Sequence, residues 1–498
     1  MEYTSTRNKN VTVSAAQAIV QGISEDGGLF VPKSIPSISL DDINEMTKLD
    51  YIGRAKKILA MYLTDFTADE LDYCVGGAYK KGKFSSDDVA PVVTLEGNAN
   101  VLELWRGPTC AFKDMALQLL PYLLTTAASK TVKGKTIVIL VATSGDTGKA
   151  ALEGFKDVPD TKMVVFYPQD GVSPMQKLQM MTQEGANVSV CAIEGNFDDA
   201  QSGVKKIFTD KEIAEKLANN NMMFSSANSI NWGRLVPQIV YYISAYCDLL
   251  KQGKIKLGDK MNVVVPTGNF GNILAAYYAK KMGLPIDKLV CASNKNNVLT
   301  DFLTTGEYNR NREFYTTASP SMDILISSNL ERLLFFMTDG NDKLVKEWME
   351  SLAKDGCYKV SDEVFKKISA EFKAGFCDDE KTKETINAMF KAHKYLCDTH
   401  TAVAVNTYFD YKAKSGDDKV TVIASTANPY KFSADVLQAV NEGEKTTADE
   451  FSVVEELHKA TNEPVPAQLA NLQSKQVRFK DVCQKEQMID QVFKMLGI

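Results

Sequence analysis

A chain of 498 residues, 44% apolar and 24% charged, has the balance of a folded, water-soluble protein and is too long for one ordinary core, so two to four domains are expected. Its net charge of −6, with no concentrated basic run, argues against a nucleic-acid partner, and its longest apolar runs are strand-sized, which argues against a membrane span. Three histidines, no HExxH pattern and nine cysteines spread singly along the chain leave no metal centre to expect and fit reduced thiols in a cytoplasm.

The opening residues, MEYTSTRNKN, lack the charged-then-apolar layout of a signal peptide. From about residue 10 to 90 the pattern is mixed and helical around a glycine-rich turn, SEDGGLFVP, which reads as a small N-terminal domain. After VVTLEGNANVLELW the rhythm changes. TIVILVA (136–142), MVVFY (163–167) and VSVCAI (188–193) are apolar, β-branched and strand-sized, as expected of strands buried on both faces. Helical stretches separate them; the clearest starts at Ser173-Pro174, an N-cap followed by a first-turn proline, and stops before Gly185. NVVVP (262–266), KLVCA (288–292) and VTVIAS (420–425) are further buried strands. Alternation of strand and helix predicts an α/β fold with parallel sheets and right-handed crossovers. LERLLFF and KTKETINAMFKAHKYL look helical, and the charged tail after about 440 reads as helices packed on the outside.

In open parallel sheets ligands sit beyond the strand ends, so three loops matter: TSGDTGKAA, TGNFGNILAA and STANPYKF. In PTGNFGNILAA, Gly268 and Gly271 bracket Asn269 and Phe270 and a helix follows to Gly283. Such a turn lets N–H groups converge on a phosphate, and it equally serves as an ordinary strand-to-helix turn. It lacks the GxGxxG spacing of a dinucleotide site. TSGDTGKAA fails the P-loop pattern, which needs glycine at Thr143 and a hydroxyl at Ala150. Thr426 stands at the mouth of a buried strand, and Arg234, beside Asn228 and Ser229 in SSANSINWGR, is either a surface charge or an anion clamp.

Lys113, in GPTCAFKDMALQLL, begins an apolar helix. It is a surface residue at a helix start, or it is held inside for its amine. A partly desolvated amine has a lowered pKa and condenses with carbonyls. One cofactor needs such an amine and a phosphate cradle together: pyridoxal 5′-phosphate.

With that combination the sequence resembles the threonine synthases, fold-type II pyridoxal-phosphate enzymes. The resemblance rests on LELWRGPTCAFKDMALQ, ATSGDTGKAA, SSANSINWGRL, VPTGNFGNILAAYYAKKMGLP, THTAVAV and TANPYKF, in order along nearly the whole chain, with VSAAQAIVQGISEDGGLFVPKSIP matching the family's accessory domain. It implies an accessory domain over 1–95, a large cofactor-binding domain from 96–135 and 220–440 with a helical insertion at about 320–400, a small α/β domain over 136–219 and a helical tail over 441–498. It implies that Lys113 is the Schiff-base lysine and main acid–base group. Gly268, Asn269, Phe270, Gly271 and Asn272 then bind the cofactor phosphate, and Thr426 faces the pyridine nitrogen. Asp146 stands where the wider fold type often has an asparagine facing the ring hydroxyl. Ser144, Thr147, Asn228, Ser229 and Arg234 match positions that hold the substrate's phosphate or carboxylate. Arg106 stands where related enzymes often have histidine, and His400 is a further candidate contact.

The implied reaction turns O-phospho-L-homoserine and water into L-threonine and phosphate, the last step of threonine biosynthesis, by a cytoplasmic monomer or homodimer. The nearest rival is a phospho-lyase that eliminates phosphate from the same substrate without forming threonine. A non-catalytic binding protein on the same scaffold has no need of Lys113, and a nucleotide-dependent kinase lacks its P-loop.

Overall fold

The computed structural model describes residues 1–143, 145–170, 172–444 and 448–498. Two sheets organise it. The larger has six strands in the spatial order Phe372–Phe376, Ile286–Ser293, Met261–Pro266, Thr421–Ser425, Ala99–Glu103 and Val92–Thr94. All neighbours run parallel except the last pair, a hairpin in which Val93 faces Val101. Every residue of Met261–Pro266 is buried, as its unbroken apolar run requires. The smaller sheet is wholly parallel, in the order Val482–Gln484, Val188–Glu194, Thr161–Pro168, Thr136–Ala142 and Met222–Ser225.

The helix Trp232–Lys251, buried over most of its length, packs against the helices Tyr51–Tyr62 and Gly271–Met282. Trp232 at its start packs within ring contact of Tyr3, Tyr62 and Tyr278, so the N-terminal segment shares its core with the large sheet. That segment is a three-stranded antiparallel sheet, Tyr3–Ser5, Asn8–Val13 and Phe30–Pro32, under helices such as Tyr51–Tyr62.

Three elements differ from the sequence reading. The region 320–400, expected to be helical, also contains the strand Phe372–Phe376, which closes one edge of the large sheet. The tail, expected to be helical, supplies Val482–Gln484 to the edge of the small sheet, and its last helix, Met488–Leu496, packs Val492 and Leu496 against that sheet's core. Met222–Ser225, read with the large domain, pairs with Thr136–Ala142. Each strand is short and is held by a partner far away in the chain, so local periodicity carries no trace of it.

Among the described residues no helix is long and apolar enough to cross a membrane, no group of three His, Cys, Asp or Glu side chains is placed to hold a metal ion, and all nine cysteines are free thiols.

Candidate active site

The loops leaving the C-terminal ends of three large-sheet strands converge. After Ala99–Glu103 the chain turns through Trp105 to Phe112 and lies against the loop after Thr421–Ser425: Phe112 N–H donates to Thr426 O at 2.8 Å, Asn428 N–H donates to Cys110 O at 3.0 Å, and Ala111 bridges Ala427. The turn is closed by buried Asp114, which accepts the Thr109 N–H and the Thr109 hydroxyl, both at 2.8 Å. A side chain on Gly107 would come within 2.5 Å of Asp114, so only glycine allows this closure. Burial pushes the Asp114 carboxyl up to about 6, against the pull of its hydrogen bonds from Thr109.

Lys113 comes out of this turn pointing inward, which answers the question its position raises. Its side chain is 11% exposed, and Nζ lies 3.7 Å from Asp146 Oδ2, 3.4 Å from Ser321 Oγ and 4.9 Å from the centre of the Phe112 ring. Burial lowers its pKa; Asp146 opposes that shift, and the cations of Lys431 and Arg234 add to it.

Opposite Lys113 stands the turn Gly268–Phe270 with the helix Gly271–Met282. Phe270 adopts a left-handed backbone, φ 63°, a conformation uncommon for a bulky residue, and its ring rests on Phe372 with centroids 5.7 Å apart. Among the described residues the N–H groups of Gly268, Asn269 and Phe270 donate to no carbonyl or side chain, and Gly271 and Asn272 open a helix whose first N–H groups are free by geometry. Tyr241 and Tyr242 both donate to Asn272 Oδ1 at 2.6 Å, which fixes the amide and leaves its buried Nδ2 without a partner.

One cavity is lined by Lys113, Asp146, Ser229, Arg234, the turn Gly268–Asn272 and Thr426. Arg234, 3% exposed, donates from Nη1 to Ala227 O, and its Nε is buried without a partner; burial pushes its pKa down to about 10. Asp146 begins the helix Asp146–Phe155, where the helix dipole favours an anion. Burial opposes its charge, yet Lys431 and Lys113 hold its carboxyl well below the usual range. Ser229 is tied by its carbonyl and hydroxyl to Asn329 Nδ2. Thr147 and Asn228 do not line the cavity; Asn228 donates from its backbone to Ser226 Oγ. Ser144 lies outside the described residues. Arg106 stays on the flank, bonded to Glu103 Oε2 at 2.8 Å and stacked 4.3 Å over Trp105.

Sequence reasoning named one further neighbour, His400, and missed two, Ser321 and Lys431. Ser321, from the 3-10 turn Pro320–Met322, meets Lys113, and its N–H donates to His400 Nε2 at 3.1 Å. His400 Nδ1 lies 2.9 Å from Asp398 Oδ2, so with Nε2 accepting, Nδ1 is the donor. Fully buried Lys431 pairs with Asp146 Oδ1 at 2.6 Å. His400 had a signal in THTAVAV; Ser321 and Lys431 had none beyond their residue type.

The donor set suits a phosphorylated aldehyde. Unpartnered N–H groups at a helix start, the free Asn272 Nδ2 and the arginine Nε share the cavity with an amine of lowered pKa, and Asp146, the one carboxylate lining it among the described residues, is neutralised by its own lysine.

The profile "Threonine synthase N terminus" matches residues 2–79, "Pyridoxal-phosphate dependent enzyme" matches 101–426, and "Threonine synthase, C-terminal" matches 401–492. The chain is 41% identical over 435 residues to "Threonine synthase-like 1" of Pongo abelii, covering 85% of this chain and 58% of that protein, so it spans well under two thirds of that relative's length. It is 37% identical over 483 residues to the threonine synthase of Saccharomyces cerevisiae, covering 92% of each chain. The crystal structure of PLP-bound threonine synthase from Brucella melitensis superposes with a TM-score of 0.87 at 35% identity, covering 100% of this chain and 99% of that one.

Proposed function

The chain belongs to the threonine synthase family of pyridoxal-phosphate-dependent enzymes, with their fold-type II architecture, and from that membership we propose that it converts O-phospho-L-homoserine and water to L-threonine and inorganic phosphate. The observation that carries the reading is Lys113, an amine turned inward at 3.4 Å from the Ser321 hydroxyl and facing an anion-binding turn across one cavity.

Pyridoxal phosphate, when bound, supplies an aldehyde that condenses with amines and a ring that takes up the electron pair left when a carbon beside nitrogen loses its proton. Gly268 to Asn272 would hold its phosphate, Lys113 its aldehyde carbon and the Thr426 hydroxyl its ring nitrogen, with Asp146 near the ring hydroxyl. The remaining work belongs to the chain. Burial lowers the pKa of Lys113, which favours the free amine, so Nζ accepts a proton from the substrate's α-carbon and returns one later. The Ser321 hydroxyl, within reach of Nζ, steers that amine. Arg234 and Ser229, which line the cavity, bind the substrate's phosphate or carboxylate; Ser144, Thr147 and Asn228 are assigned to the same substrate group from the family motifs they occupy. A second proton leaves Cβ as phosphate departs from Cγ, Cγ takes up a proton to become the methyl group, water adds at Cβ, and the α-carbon regains its proton. Nine unpaired thiols support a cytoplasmic setting, and the net charge of −6 supports a small-molecule partner rather than nucleic acid, for a monomer or homodimer.

The test is incubation of the cofactor-loaded protein with O-phospho-L-homoserine, assaying threonine and phosphate together. Equal amounts of both are expected. Phosphate without threonine assigns the protein to the eliminating rival, and neither product overturns the reading.

A further inference from the structure

Lys431 is a fully buried charge near the site. Its side chain is 0% exposed, on the turn Pro429–Phe432 that follows Thr426. Nζ makes two contacts: Asp146 Oδ1 at 2.6 Å and the Thr109 carbonyl at 3.0 Å. The same carboxylate oxygen accepts Gln176 Nε2 at 2.9 Å. Its other oxygen, Oδ2, stops 3.7 Å from Lys113 Nζ. The carboxylate is thus shared unequally between two lysines. Lys431 holds it at contact distance, and Lys113 has it near but beyond a close hydrogen bond. A buried ammonium is costly unless paired, so an arrangement that buries two lysines around one aspartate calls for a use.

We propose that Lys431 is a positioning residue that draws Asp146 away from Lys113, so that the Lys113 amine is left free to form a bond to a carbonyl. Resting on the reading of Lys113 as the condensing amine, this deepens it. Without Lys431, the nearest cation to Asp146 is Lys113, and a lysine–carboxylate pair closes to about 2.8 Å. Such a pair fixes Nζ as an ammonium, which has no lone pair to give. The Thr109 contact adds a second function, tying Lys431 to the turn from which Lys113 emerges. The other charged group facing Lys113 is Arg234 on the helix Trp232–Lys251; His400 stands behind Ser321.

The test measures Lys113 itself. The full chain, stripped of cofactor and shown to be folded by circular dichroism, is labelled with limiting acetic anhydride across a pH series, and acetylation of Lys113 is read by peptide mass. In Lys431→Met the midpoint for Lys113 should rise by about one pH unit or more, the effect of one close opposite charge. Lys431→Arg, which keeps the cation, should stay near the wild-type midpoint. In the double variant Asp146→Asn, Lys431→Met no carboxylate remains to swing, so the midpoint should lie at or below the wild-type value. Because the double variant removes the buried carboxylate together with the cation that pairs it, it and Lys431→Arg decide the matter if Lys431→Met does not fold. An unmoved midpoint in Lys431→Met, a rise of a full unit in Lys431→Arg or a raised midpoint in the double variant overturns the proposal. Borohydride reduction of the cofactor-loaded protein separates the two readings. A pyridoxyl mass on another lysine sinks the role of Lys113, whereas that mass on Lys113 with an unmoved midpoint sinks only the role of Lys431.

Discussion

Asp114, one residue beyond Lys113, closes the turn that presents it by accepting hydrogen bonds from Thr109, while burial disfavours its charge. Its folded pKa of about 6 stands above the usual carboxylate value, so the folded protein holds this proton more tightly than the unfolded chain does. The stability it contributes is complete below pH ~4 and is lost as pH rises through about 6, and it amounts to no more than about 3 kcal/mol. Thermal unfolding midpoints measured between pH 4 and 7 should therefore fall less steeply with rising pH in Asp114→Asn than in wild type, because the amide cannot titrate. Identical slopes would show that the carboxyl is already ionised throughout. At this scale residue type was legible only where it sat in an unusual place. Lys113 stood out because a lysine is unexpected at an apolar helix start. Lys431 lay in plain view within TANPYKF and looked like any other lysine, because its partners Asp146 and Thr109 come from two distant stretches of chain.

The glycine turn was legible as an element, since two glycines between a buried strand and a helix leave few alternatives. What was not legible is what approaches each glycine. A side chain on Gly268 would come within 2.5 Å of Ser321 O, whereas one on Gly271 meets nothing nearer than 3.4 Å. Ser321 is the residue that touches Lys113 and bonds His400, so crowding Gly268 disturbs both walls of the cavity. Gly268→Ala should weaken cofactor binding by about tenfold or more, a cost in the range of a strained close contact, while Gly271→Ala should cost far less. Dissociation constants from cofactor titration followed by absorbance check both; equal losses would remove Ser321 from the explanation. The short strands Phe372–Phe376 and Val482–Gln484 mark the other limit of reading by element, because pairing rather than propensity makes them strands.

Across the whole molecule, the N-terminal segment is coupled to the glycine turn through one helix, Leu330–Met337. Arg7 makes a two-pronged pair with Glu331 at 2.8 and 2.7 Å. The next residue, fully buried Arg332, donates to Phe30 O at 3.0 Å and also to Asn329 Oδ1 and Ile230 O. Asn329 in turn donates to Asn269 O twice, from Nδ2 and from its backbone N–H, both at 3.0 Å. Arg332 has no carboxylate of its own, and burial pushes its pKa down to about 10. Arg332→Met should leave three buried acceptors short of a donor, lower stability by about 3 kcal/mol and weaken cofactor binding together with it. Denaturant unfolding and cofactor titration on the same preparation check this; lost stability with unchanged cofactor affinity would break the proposed link between N-terminal segment and turn. The broad layout of parallel sheets was legible from apolar runs and the loops between them, but this cross-chain wiring was not, since its polar residues show no periodicity.

The edge strand Val482–Gln484 has one more consequence. Its partner, Val188–Glu194, is made about 290 residues earlier. At ribosomal speeds of 5–20 residues per second that interval lasts roughly 15 to 60 s. Throughout it the nascent small sheet carries an open flank able to pair with a stranger, so the growing polypeptide is most exposed to aggregation before its final strand emerges, and chaperones that shield strand edges have their window there.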